Sequence, residues 1–114
     1  MPGMKAIKHV LVANELASYR ESIAAVLRIS FPCLEVFEAV SADLNREVLR
    51  LRPELVICSR VTSLVESRVP NWIELHPECK PFSTFCLDGE RFLREQVHLS
   101  DLLSVVDGGA VRVG

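Results

Sequence analysis

Three short apolar runs, separated by segments of helix length, constrain this chain most. Residues 7–13 are short, apolar and partly β-branched, as in a buried strand. Residues 34–40 repeat the pattern, and residues 54–58 are apolar almost throughout, as in a central parallel strand covered on both faces. Between the first two runs, Ser18 and Glu21 have capping-box spacing, and Tyr19, Ile23, Val26 and Leu27 fall on one helical face. Pro32 closes that segment. Ser41 is placed to cap a second helix, Asp43 suits its first turn, and Leu44, Val48 and Leu51 form its packed face before Pro53. The order β-α-β-α-β predicts a parallel sheet with right-handed crossovers. Ligand chemistry in such sheets collects at the carboxyl ends of the strands, here Asn14-Glu15 and Ser59-Arg60.

The second half has weaker periodicity. Ser63 and Glu66 suit the cap of a short third helix, Pro70 interrupts, and residues 71–75 read as a further turn. Pro77 and Pro81 frame a loop, residues 82–87 read as a fourth strand, and Asp88-Gly89 is a turn signal. Phe92-Leu93 then begins a fifth strand. Leu99, Leu102, Leu103 and Val106 fit a last amphipathic helix stopped by Gly108-Gly109. Residues 1–114 form one domain on this reading, with a core over about 6–109 and a frayed tail at 110–114.

The chain is long enough, at 114 residues, to bury a core without disulfides or metal. Its formal net charge of −2 gives no basic footprint for nucleic acid; Arg46, Arg50 and Arg52 read as a solvated helix face. No apolar run approaches the roughly 18–20 residues that span a bilayer, and the N-terminus lacks signal-peptide features, so a cytoplasmic location is expected. Cys33, Cys58, Cys79 and Cys86 form no CxxC pair and read as reduced thiols. His76 and Cys79 make one HxxC spacing, short of the two pairs usual at zinc sites, so neither metal nor cofactor is expected. No Ser-His-Asp, Cys-His or Gly-rich phosphate constellation supports an enzyme.

Several stretches together resemble the receiver domain of a response regulator. Val10 to Glu15 followed by Ser18-Tyr19-Arg20-Glu21 looks like its first strand and helix, and Arg52 to Ile57 like its third strand. Lys80-Pro81-Phe82 looks like the entry to its fourth strand, and Phe92 to Gly109 like its fifth strand and last helix. The resemblance implies a flavodoxin-like, three-layer, doubly wound sheet of five strands. It also implies a phosphorylation pocket, but the residues depart from it. The family's acidic pair falls on Asn14 and Glu15, its acceptor aspartate on Ser59, its Ser/Thr on Cys86, its lysine on Glu95 and the adjoining proline on Gln96. One carboxylate is a poor start for Mg²⁺, and glutamate reverses the lysine charge that would face a phosphoryl group.

On this resemblance Asn14, Glu15, Ser59, Cys86 and Glu95 converge at one sheet edge, with Arg60 placed to pair with Glu15 or Glu95. Only Leu87 to Arg94 separate the fourth strand from the lysine position, so the fourth helix is absent or reduced to a turn. Two arrangements then remain: a fifth strand parallel to the others, which is preferred, or an antiparallel hairpin around Asp88-Gly89. Phe92, Arg94 and Trp72 are the candidate interface residues; Trp72 serves equally well as a core lid. His98 reads as a capping or surface histidine. The expected function is a phosphorylation-independent module that binds a protein partner or a second copy of itself. The alternative is a small domain binding a nucleotide or metabolite at the strand-edge cleft.

Overall fold

The computed structural model describes residues 7–76 and 80–108. It is an α/β fold with one mixed six-stranded sheet, ordered β2-β1-β3-β4-β5-β6, and four α-helices among the described residues. The strands are β1 (His9–Ala13), β2 (Glu35–Glu38), β3 (Leu55–Cys58), β4 (Asn71–Glu74), β5 (Ser83–Leu87) and β6 (Glu90–Arg94). The helices are α1 (Ala17–Ser30), α2 (Leu44–Leu51), α3 (Ser63–Arg68) and α4 (Leu99–Val106), with a 3₁₀ turn at Ser41–Asp43 before α2.

The first four strands run parallel, and their apolar residues serve two cores. On one face Val10, Val12, Leu55, Ile57 and Ile73 pack with Ile23, Ala24 and Leu27 of α1 and Leu102, Val105 and Val106 of α4. On the other, Leu11, Ala13, Val56, Cys58 and Trp72 pack with Leu44 and Val48 of α2 and Val65 of α3. Strand side chains alternate between faces, so an unbroken apolar run such as β3 feeds both layers at once.

The sheet has six strands rather than five because residues 71–75, read from sequence as a turn, contain β4. Pro70 does not prevent it, because it precedes the strand rather than entering its ladder. Of the two arrangements left open, the hairpin around Asp88-Gly89 forms, and the strand it reverses is the expected fourth, β5, while β6 runs in the same direction as β1–β4. β5 runs antiparallel to β4, and β6 antiparallel to β5, with Leu87 opposite Glu90. Asp88 and Gly89 both take positive φ, 52° and 89°, which closes a two-residue hairpin whose twist matches its strands. No helix fits in that turn, so the helix expected to be absent or reduced there is absent.

Helix boundaries follow the expected periodicity, but their caps shift. Helix α1 begins at Ala17 after Leu16 with no side-chain cap, so the Ser18–Glu21 box is not formed. Helix α3 is capped one residue earlier than expected, by the Thr62 hydroxyl accepting from the Val65 amide at 3.2 Å. Ser41 donates to the Ala13 carbonyl at 3.3 Å instead of capping α2. His98 does occupy the N-cap of α4, and its amide donates to Asp101 at 2.8 Å. Gly108, at φ 82°, donates to the Val105 carbonyl and ends the helix. Gly109, the tail at 110–114, Pro77 and Cys79 lie outside the described residues.

Candidate functional site

The strand order reverses direction between β1 and β3, and the crevice beyond their carboxyl ends is the favoured ligand position in a parallel sheet. Parallel pairing of Ala13 with Cys58 brings the following residues together there. The Ser59 hydroxyl accepts from the Glu15 amide at 2.9 Å, which ties the two loops. The Asn14 carbonyl accepts from Arg20 at 2.9 Å, and Glu74 accepts from the Val61 amide at 2.8 Å. Asn14 itself is fully buried, and neither its Oδ1 nor its Nδ2 has a hydrogen-bond partner.

Asn14, Glu15 and Ser59 therefore meet, but Cys86 and Glu95 do not join them. Cys86 lies within β5, opposite Trp72 and Arg91, and its side chain belongs to the α2/α3 core. Glu95 follows β6, three strands beyond β3, or about 14 Å at ordinary strand spacing. The expected five-residue pocket is thus corrected to a three-residue one. The hairpin causes the difference, because it reverses β5 and carries β6 to the sheet's outer edge.

The chemistry of these three residues does not fit Mg²⁺. Glu15 supplies the only carboxylate of the three, and the Ser59 oxygen already accepts a backbone amide. No cluster of three or more His, Cys, Asp or Glu side chains placed to hold a metal occurs among the described residues. Cys58, beside this crevice, is inert as a nucleophile: burial, with Glu74 nearby, pushes its thiol up to about 12.

A second region stands out at β6. In a two-residue hairpin the flanking pair Leu87–Glu90 is hydrogen-bonded, and alternation then turns the backbone groups of Arg91 and Leu93 away from β5. No described side chain bonds those outward groups. The opposite edge differs: on β2, Arg28 donates to the Val36 carbonyl at 2.8 Å and pairs with Glu38 at 2.9 Å.

Side chains of β6 divide between the two faces. Phe92 stacks on Phe85 with ring centroids 5.2 Å apart, and Arg94 pairs with Asp101 of α4 at 3.6 Å. On the other face, the Arg91 guanidinium lies 5.3 Å from the Trp72 ring centre and pairs with Glu66 at 3.3 Å. Leu93 shares that face but is 65% exposed, because the six-residue α3 does not extend over it.

The three candidate interface residues differ in their surroundings. Trp72 is 2% exposed and is core, roofed by Arg91. Phe92 is half-buried against the α1/α4 core, and Arg94 is engaged with α4. Leu93, the exposed apolar side chain of β6, is not among the candidate interface residues singled out from the sequence. Its signal was available: with Asp88-Gly89 as a two-residue turn, Phe85 faces Phe92 and Leu93 takes the opposite side.

No protein-family model, curated protein or solved structure matches the chain. No described helix is long and apolar enough to cross a membrane.

Proposed function

We propose that this chain is a non-catalytic, cytoplasmic protein-interaction module that docks through the free edge of β6. The observation that carries the reading is the unpaired outward backbone of Arg91 and Leu93 beside a 65% exposed leucine. Uncovered edges are templates for adding a strand, and backbone hydrogen bonds with an apolar side chain supply affinity. The partner is a protein rather than nucleic acid, in keeping with the net charge of −2.

We further read the architecture as receiver-like. The parallel strand order 2-1-3-4 is the beginning of the flavodoxin-like order, with the hairpin replacing the fifth parallel strand. Signalling would then be independent of phosphorylation, since Ser59 is engaged with the Glu15 amide and Glu95 lies at the far edge.

The test is co-purification with the native chain and with Leu93→Lys, followed by amide exchange on the complex. A partner that is lost with Leu93→Lys and protects the Arg91 and Leu93 amides supports the reading. A partner retained by the variant, with those amides unprotected, contradicts it.

One observation favours the ligand-binding alternative: the fully buried, unpartnered Asn14 side chain at the reversal point of the sheet. A nucleotide or metabolite bound there raises the melting temperature by mass action, and Asn14→Leu abolishes that rise. A screen of such ligands with no shift argues against the alternative.

A further inference from the structure

The occupant of the β6 edge can be named from the sequence of the edge itself. An added antiparallel strand must set outward-facing residues against outward-facing residues, since these exchange the backbone bonds. On β6 the outward positions are Arg91 and Leu93, and Glu95, two residues further on, stands at the bend that directly follows the strand. They read basic, apolar, acidic, which is its own complement when reversed.

We infer that β6 pairs antiparallel with β6 of a second copy, in the register that sets Leu93 against Leu93. This inference rests on the docking reading above. A two-fold axis at Leu93 places Arg91 opposite Glu95 of the second copy, and Glu95 opposite Arg91, in one isologous interface. The exposed leucines cover each other, and on the other face Phe92 meets Arg94 of the second copy. The neighbouring registers lack this match. Centring on Arg91 opposes like charges, and centring on Phe92 sets Arg91 against Leu93.

Both charged side chains are exposed at this edge. Glu95 is exposed and makes no ion pair among the described residues. The Arg91 side chain is 58% exposed beside its contacts with Glu66 at 3.3 Å and with the Trp72 ring. The result is a continuous sheet of twelve strands across the dimer, built from six in each copy.

The test is a charge exchange read by analytical ultracentrifugation at low salt. The native chain is expected to dimerise, and Arg91→Glu and Glu95→Arg each to weaken dimerisation about tenfold or more, because each opposes like charges twice. An equimolar mixture of the two variants restores the dimer, since both ends of the mixed dimer then set a glutamate of one variant against an arginine of the other. Recovery on mixing cannot come from a folding defect in Arg91→Glu. A mixture that dimerises no better than either variant overturns the register, as does full dimerisation of either variant alone. A native chain that stays monomeric at high micromolar concentration overturns the inference. If its Arg91 and Leu93 amides are nevertheless protected by another protein, the docking reading survives; if no protein protects them, both fall.

Discussion

Asn14 takes a side-chain donor and acceptor into the interior and satisfies neither. An unsatisfied buried polar group costs about 1–3 kcal/mol, whereas an apolar group of similar size at the same place costs nothing of that kind. Asn14→Leu is therefore expected to stabilise the domain by about 1–2 kcal/mol in denaturant unfolding. A loss of stability would mean that the asparagine is bonded in solution. Glu54 presents the opposite case. Burial would raise its carboxyl, but the amides of Lys8 and His9 at 2.9 and 2.7 Å, with the His9 ring, prevail and hold it below its ordinary 4.5. A lowered folded value means that the unfolded chain takes up the proton first as pH falls. Glu54 thus stabilises the fold above 4.5, and that contribution fades as pH drops through the lower folded value. Glu54→Gln is expected to destabilise at neutral pH and to converge with the native chain in acid. Equal gaps at both pH values would rule out the carboxylate as the cause.

At the scale of elements, β1, β2, β3, α1 and α2 were legible because each carries several residues of a clear period. Strand β4 was not, since Asn71-Trp72-Ile73-Glu74 is short and follows Pro70. Its identity depends on partners distant in sequence. Asn71 donates to the Glu54 carbonyl at 3.0 Å and accepts from the Asp88 amide at 2.8 Å. That one buried side chain latches the hairpin turn to the end of the parallel sheet. Asn71→Ala removes both bonds and leaves the groups behind; it is expected to cost about 2–3 kcal/mol in denaturant unfolding. A cost below about 0.5 kcal/mol would show that the latch is dispensable. The hairpin also explains why the site was half legible. Asn14, Glu15 and Ser59 follow from strands whose pairing the periodicity specifies. Cys86 and Glu95 were assigned from the order of elements in a resembling family, and the local chemistry of Asp88-Gly89 overrode that order.

At the scale of the whole molecule, one sheet carries two unlike edges. The β2 edge is occupied by Arg28, while β6 is left open by the short α3 and the hairpin turn. The charges on β6 have two physical readings: they repel strands added at random, and they match one strand in one register. Amide hydrogen exchange, resolved by residue along β6 in dilute and in concentrated solution, separates an open edge from a covered one. In dilute solution the outward amides of Arg91 and Leu93 are expected to exchange fast, and the inward amides of Glu90, Phe92 and Arg94 slowly. In concentrated solution the outward amides should slow toward the inward ones. Outward amides already slow when dilute would mean that the edge is covered within the monomer. Outward amides that stay fast at high concentration, and in any complex the chain forms, would contradict docking through β6.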